Sequence, residues 1–288
     1  MKLLVRHQTI YRYAATAGRV AMRLKLMPVD TPAQTVHDWR VSINDDPLPG
    51  FYPNSYGERE AIWVRHDRLD HAVIVAEGLV ETRETHGVVG HIRSAVPPAY
   101  FLRDTKLTRA SPEIVAMASA QPDSGGPLAR LHALSAAVID AVTYRAGVTH
   151  ADTSAAQAFA LGAGVCQDHA QIFIAAARSL GIPARYVSGY LLAAGDDVLH
   201  ETHGWAEAYL PDLGWIGFDP SNRVCVTERY LRVASGLDAD EAAPIRGSVT
   251  VAGDISIDAD VRIAEAQDGV EERQLQRQQQ QTTPLIDK

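Results

Sequence analysis

From Met1 to about Thr85 apolar and polar positions alternate in short runs. Leu3, Val5, Ile10 and the Tyr11-Arg12-Tyr13 stretch follow an imperfect period of two, as do Val20, Met22, Leu24 and Leu26. Similar segments run from Val36 to Ile43, Glu60 to Val64 and Ala72 to Val80. Turn formers separate them: Asp45-Asp46-Pro47, Pro53-Asn54-Ser55-Tyr56-Gly57 and Asp67-Arg68-Leu69-Asp70. Successive side chains of a strand point to opposite faces, so this half predicts short antiparallel strands in a β-sandwich. Its histidines, His7, His37, His66 and His71, lie apart in sequence and read as surface or structurally satisfied residues.

Beyond Pro97-Pro98 the period lengthens. Ser111-Pro112-Glu113 combines an N-cap serine with proline at the first helical position. Leu128, Leu131, Leu134, Val138 and Val142 carry a helical period, and Thr153 to Phe159 reads as a short capped helix. The strongest helix runs from Cys166 to Leu180, with Ala170, Phe173, Ile174, Ala177 and Leu180 on one stripe, Gly181 as the cap and Pro183 as the stop. Strands follow at Tyr186 to Leu191, His203 to Leu210 and Trp215 to Asp219, the last two joined by a turn at Pro211-Asp212-Leu213-Gly214. Val249, Val251, Ile255, Ile257, Val261 and Ile263 alternate and predict a closing pair of strands. After Asp268 the chain is charged and rich in glutamine, including Gln278 to Gln281, and is expected to be disordered because it cannot bury enough apolar surface. The pattern divides the chain into a β-rich region over 1–105, a mixed region over 106–268 that includes the closing strands, and a tail over 269–288.

Composition narrows the class. The chain has 288 residues, of which 46% are hydrophobic and 22% charged, enough for a packed core in one large or two smaller domains. A net charge of −8 excludes nucleic acid as the main partner, because phosphate binding needs clustered Lys and Arg. No apolar run approaches the ~20 residues of a membrane span. Leu3, Leu4 and Val5 give way at once to Arg6 and His7, so the start does not read as a signal peptide. Two cysteines make no disulfide framework, and a reducing cytoplasm is the expected location.

Candidate chemistry centres on Gly162-Ala163-Gly164-Val165-Cys166-Gln167-Asp168-His169-Ala170. A cysteine where a glycine turn becomes a helix meets the positive end of the peptide dipoles, which favours the nucleophilic thiolate. His203 and Asp219 fall on strands joined by a tight turn, which sets them opposite or diagonal and within reach of a carboxylate–imidazole contact. The set Cys166, His203 and Asp219 then reads as nucleophile, base and orienting group. At ~100° of rotation per residue Asp168 and His169 turn away from Cys166. Asp168 reads as a charge partner of the helix start and His169 as non-catalytic, while Cys225 reads as an inert small hydrophobe. A zinc site would show paired ligands such as C-x-x-C or H-x-x-x-H, and none surrounds Cys166.

These stretches resemble the transglutaminase-like superfamily, specifically a bacterial group described as candidate cysteine proteases. The resemblance rests on Gly164-Val165-Cys166-Gln167-Asp168, Arg178-Ser179-Leu180-Gly181-Ile182-Pro183-Ala184-Arg185-Tyr186-Val187-Ser188-Gly189-Tyr190, His203 to Tyr209 and Gly214 to Asn222. In the first half it rests on His7 to Tyr13 and Asn54 to Glu58. It implies an α+β fold, a papain-like, transglutaminase-like core behind an antiparallel β-sandwich-like domain, with Cys166 as nucleophile, His203 as base and Asp219 as orienter. Two departures stand out: His169-Ala170 where the group often has an aromatic before Ala-His, and Glu58 where the glycine turn often ends in Asn.

The expected activity is acyl transfer on amide or peptide bonds through a Cys166 thioester. Hydrolysis by a peptidase or amidase is preferred to amine cross-linking because nothing visible excludes water. A scaffold protein of the same fold is the other reading. The expected partner is a peptide or protein substrate, with no cofactor, no metal and no calcium loop of the D-x-D-x-D-G kind. The Cys166 amide is a natural oxyanion donor. Gln167 and Trp205 are the nearest sequence neighbours that could contact substrate or oxyanion, and the loop Ala193 to Glu201, with Asp196, Asp197 and His200, is expected to shape the pocket.

Overall fold

A computed structural model describes residues 1–48, 50–66, 68–192 and 202–266. Its longer strands in the first part are β1 (Lys2–Ala17), β2 (Arg19–Met27), β3 (Gln34–Ile43), β4 (Arg59–Arg65), β5 (Leu69–Thr82) and β6 (Val88–Gly90). The helices α1 (Pro112–Ser119), α2 (Gly126–Ala141), α3 (Ala155–Leu161) and α4 (Cys166–Ser179) follow. The chain then runs through β7 (Ala184–Leu191), β8 (His203–Leu210), β9 (Gly214–Asp219), β10 (Tyr230–Gly236), β11 (Ile245–Thr250) and β12 (Ile255–Glu265).

The alternating first half builds two antiparallel sheets. One has the order β12–β1–β5–β3 and is continued by the short strand Asp46–Pro47; the other has the order β11–β2–β4 and is continued by Tyr52–Pro53. Their inner faces meet through Val20, Met22, Leu24, Val41, Ile43 and Ile74, a sandwich core made by the predicted alternation.

The closing strands correct one expectation. β11 and β12 do not close the mixed region. They pair antiparallel with β2 and β1, as in Val249↔Val20 and Val261↔His7, and complete the sandwich. Burial explains the choice. Val261 and Ile263 join Leu3, Val5 and Val80 in an apolar layer that also takes Tyr190, Leu231 and Val233 from the other half.

The second half is a helical layer on an antiparallel sheet of order β9–β8–β7–β10, with β6 and the short strand Val224–Cys225 both against β9. Ile114, Leu131, Leu134 and Val138 pack with Phe173 and Ile174 of α4 against Ala206, Ala208, Ile216 and Phe218 of the sheet. Capping follows the sequence: Ser111 accepts from the Ile114 amide, and Ser154 and Gln157 form a capping box. α4 departs from the single stripe expected. It is buried on all sides from Asp168 to Arg178, because α1, α2 and α3 cover the faces that the sheet leaves open. Asp168, His169, Gln171 and Arg178 each make at least one hydrogen bond within the fold. The Arg178 guanidinium reaches the carbonyls of Phe101, Ala184 and Leu237 and the Thr108 hydroxyl, and burial lowers its pKa to about 10.

A buried chain of charges joins the halves. Arg185 pairs with Glu207 at 2.6 Å, Glu207 with Arg232 at 3.3 Å, and Arg232 with Glu58 at 2.6 Å. Glu58 also accepts from the Ser235 amide at 3.0 Å and hydroxyl at 2.6 Å. Burial works to raise the Glu58 pKa, but the charges of Arg232 and Lys25 and the Ser235 bonds hold it below the usual carboxylate range. Among the described residues no helix is long and apolar enough to cross a membrane. The glutamine-rich tail and the loop 193–201 lie outside the described residues.

Candidate active site

The approach to Cys166 is a short strand. Ala163–Gly164 pairs in parallel with Thr143–Tyr144, and the chain then turns into α4 with Val165 extended at φ −116° and Cys166 as the first helical residue. Valine cannot cap with its side chain, so half of a capping box does the work: the Asp168 carboxylate accepts from the Val165 amide at 2.8 Å and from the Thr149 hydroxyl at 2.7 Å. That carboxylate folds back over Gly164 so tightly that a Cβ there would lie 2.6 Å from Oδ2, which is why glycine stands at this position. Sγ of Cys166 thus sits, half-buried, at the positive end of a helix of 14 residues.

His203 opens β8, and Asp219 closes β9. The register Ala206↔Phe218 sets Trp205 opposite Asp219 and leaves His203 on the diagonal. Across that diagonal His203 Nε2 donates to Asp219 Oδ2 at 2.6 Å. The carboxylate has no exposed surface and is held from several sides. It accepts from the Ser221 hydroxyl at 2.6 Å, the Asn222 side-chain amide at 2.7 Å, the Asn222 backbone at 3.3 Å and the Tyr230 hydroxyl at 2.8 Å. Burial works to raise its pKa, but the bond and charge of His203, then Ser221 and Asn222, bring it down to about 2. Burial likewise works to lower the His203 pKa. The hydrogen bonds from the ring to Asp219 and to Cys166, with their charges, outweigh it and raise the value to about 10. With Nε2 committed to Asp219, Nδ1 is the nitrogen left to meet Sγ. The raised pKa favours the cationic ring at neutral pH, and the ring is bonded to the Asp219 carboxylate.

The structure thus brings Cys166, His203 and Asp219 together. The remaining sequence-derived residues fall around them. Gln167 lines the same cleft, with its amide donating to the Ala151 carbonyl at 3.2 Å. Trp205 is 2% exposed and lies behind the imidazole, with ring centroids 6.3 Å apart. Asp168 secures the helix start, and His169 is buried with Nε2 on the Val142 carbonyl at 2.9 Å. Cys225 is half-buried against the helical core, where burial raises its pKa.

Two groups escaped the sequence reading. Tyr230 belongs to β10, a strand buried over its whole length that carries no alternation to reveal it. The other group comes from the sandwich: His7, Thr9 and Tyr11 on β1, with Ile245 and Ala259 from the returning chain, form a wall of the cleft that holds Cys166 and His203. His7 is buried, bonded to the Tyr190 hydroxyl at 2.9 Å and the Thr9 hydroxyl at 2.9 Å, and burial lowers its pKa to about 4. Its neutral ring belongs to the scaffold of that wall. A second hollow opens on the far side of His203, where Tyr144, Leu191 and Val224 give it an apolar lining. Among the described residues no group of three or more His, Cys, Asp and Glu is arranged to hold a metal ion.

A cysteine at a helix start, sharing a cleft with a histidine bonded to a buried carboxylate beside an antiparallel sheet, is the arrangement of the papain-like class of folds. Comparison with known proteins gives the family. The transglutaminase-like superfamily matches residues 116–220, which contain Cys166, His203 and Asp219, and the bacterial transglutaminase-like N-terminal region matches residues 3–81. The chain therefore carries a transglutaminase-like core behind a bacterial transglutaminase-like N-terminal region. A Mycobacterium leprae protein of no assigned function is 28% identical over 282 residues, covering 91% of this chain and 98% of that protein. A protein-glutamine gamma-glutamyltransferase of Pseudomonas aeruginosa is 32% identical over 105 residues, covering 34% of this chain but 15% of that enzyme. A Cytophaga hutchinsonii crystal structure, described as a candidate cysteine protease, matches with a TM-score of 0.73 at 21% identity over 93% of this chain and 91% of that one, which establishes the shared fold.

Proposed function

We propose that the protein transfers acyl groups from amide or peptide bonds through a thioester on Cys166, with water as the usual acceptor. One observation carries this reading: His203 lines one cleft with Cys166 while its ring is bonded to a fully buried Asp219. In the forward step Cys166 Sγ attacks the carbonyl carbon, the C=O π pair moves to oxygen, and His203 gives its proton to the departing amine as the C–N bond breaks. In the return step a water loses a proton to His203 and its oxygen displaces sulfur from the acyl carbon. The His203 side chain retains 14% exposure, so water can reach the base, which supports hydrolysis. The substrate is a peptide or protein chain. Both cysteines are free, and a nucleophilic thiol lasts longest in a reducing compartment, so we assign the reaction to the cytoplasm.

Transfer to an amine is the second reading, favoured by the likeness to the Pseudomonas glutamyltransferase. Acyl-donor peptides incubated with and without a primary amine separate the two by product mass, with Cys166→Ala as control. Hydrolysis predicts free acid whether or not amine is present. Retention of turnover by Cys166→Ala refutes both. Iodoacetamide supplies a test against a scaffold without turnover: Cys166 should alkylate faster than a free cysteine at neutral pH and lose that advantage in His203→Ala. Equal rates in the parent favour the scaffold.

A further inference from the structure

A tetrahedral oxyanion needs a partner beyond the Cys166 amide, and a buried phenol borders the cleft that Cys166 lines. Tyr186 lies on β7, opposite Ala206, while Ser188 lies opposite Gly204. The Tyr186 ring therefore runs diagonally toward the start of β8. Its oxygen ends against Gly204, so close that a Cβ on that residue would lie 1.8 Å from Oη. The residue next to the imidazole thus lacks a side chain, and a hydroxyl occupies the space. Tyr186 and Gly204 both border the cleft that holds Cys166 and His203. The phenol is 6% exposed. Burial first, then the charges of Cys166, Asp168 and Asp219, raise its pKa well above the ordinary value, so it remains an O–H donor at any working pH. The alternatives are less well placed: the Gln167 amide is engaged with Ala151, and Trp205 stands behind His203.

We propose that the Tyr186 hydroxyl is the second oxyanion donor, acting with the Cys166 amide. The inference rests on Cys166 being the nucleophile. As Sγ bonds to the carbonyl carbon, the π pair settles on oxygen, and Tyr186 hydrogen-bonds to that oxygen without giving up its proton. When the pair returns to re-form C=O, the leaving group departs, and the phenol is unchanged. A preorganised donor of this kind acts where charge develops and leaves the resting thiol untouched.

The test compares two reactions at one sulfur. p-Nitrophenyl acetate acylates Cys166 through an oxyanion; iodoacetamide alkylates it by direct displacement at carbon, with none. For Tyr186→Phe, acylation, followed by nitrophenolate release and mass gain, should fall on the order of 10²-fold while alkylation stays within about twofold of the parent. Gly204→Ala, whose methyl group pushes the hydroxyl aside, should show the same split and serves if Tyr186→Phe does not fold. Equal acylation of parent and variants overturns the Tyr186 assignment alone. So does a fall in alkylation that matches the fall in acylation, which would mark Tyr186 as a support for the Cys166–His203 pair. A parent that p-nitrophenyl acetate fails to acylate at Cys166 overturns both this inference and the nucleophile on which it rests.

Discussion

A carboxylate with no exposed surface stays charged only when its neighbours compensate it, and Asp219 is compensated by His203, Ser221, Asn222 and Tyr230. Two pH dependences follow. The raised His203 pKa stabilises the fold fully below its ordinary value of 6.5, and that contribution is lost as pH rises through about 10. The depressed Asp219 pKa contributes above its ordinary value of 3.8, and that contribution is lost as pH falls toward about 2. Urea unfolding across pH should therefore show stability declining in both windows, and Asp219→Asn should flatten both. The same variant should lower turnover on the order of 10²–10⁴-fold, and should move the alkaline limb of kcat/KM down from about 10 toward the ordinary histidine range. An alkaline limb that does not move would show that Asp219 does not set the charge on His203. The placement of Cys166 at a helix start behind a glycine turn, and of His203 beside Asp219 on strands joined by a tight turn, was legible because spacing fixes geometry. Ser221 and Asn222 stood in the motif, but nothing local in the sequence indicated that they face the carboxylate.

Periodicity describes which residues an element buries, but not what a buried charge will meet. Glu58 reads in the sequence only as a departure from the Asn expected at the end of a glycine turn. In the fold it locks that turn to β10 through Arg232, 174 positions away. Glu207 alternates correctly on β8 beside His203, yet its partners Arg185 and Arg232 come from the strands β7 and β10. Arg185 is held further by the Trp215 ring, 3.8 Å from its guanidinium carbon. Removing one member of such a chain leaves a buried charge uncompensated. Glu58→Ala should therefore destabilise the protein by about 3–5 kcal/mol, measured as a lower urea midpoint at unchanged slope. Loss of less than about 1 kcal/mol would place Glu58 among ordinary surface ion pairs. α4 shows the same limit from the other side. Its apolar stripe was legible, but burial of its polar faces depends on α1, α2 and α3, whose packing no local pattern encodes.

At the scale of the molecule, the sandwich lines the candidate site as much as it serves the scaffold. Thr9 and Tyr11 look into the cleft from β1, so truncating Tyr11 to alanine should shift the preference among acyl-donor peptides by roughly tenfold in kcat/KM, the size of one pocket contact. Iodoacetamide alkylation of Cys166 should not change in that variant; a parallel change would mean that β1 acts on the sulfur rather than on the substrate. Removing residues 1–82 should not yield a soluble, active remainder, because Leu231, Val233 and Tyr190 would lose their apolar cover and Arg232 its Glu58 partner. The sequence disclosed two regions of different period but not their embrace, since the pairing of β1 with β12 spans nearly the whole chain. That pairing governs how the protein comes into being. During synthesis β1 and β2 are made before the helices and the thiol, and each keeps a bare hydrogen-bonding edge until β12 and β11 arrive. Ile245 and Ala259 also line the cleft, so β11 and β12, made after the thiol, complete its wall. A nascent chain halted before them would carry Cys166 in an unfinished groove, with two open edges for neighbouring chains to join.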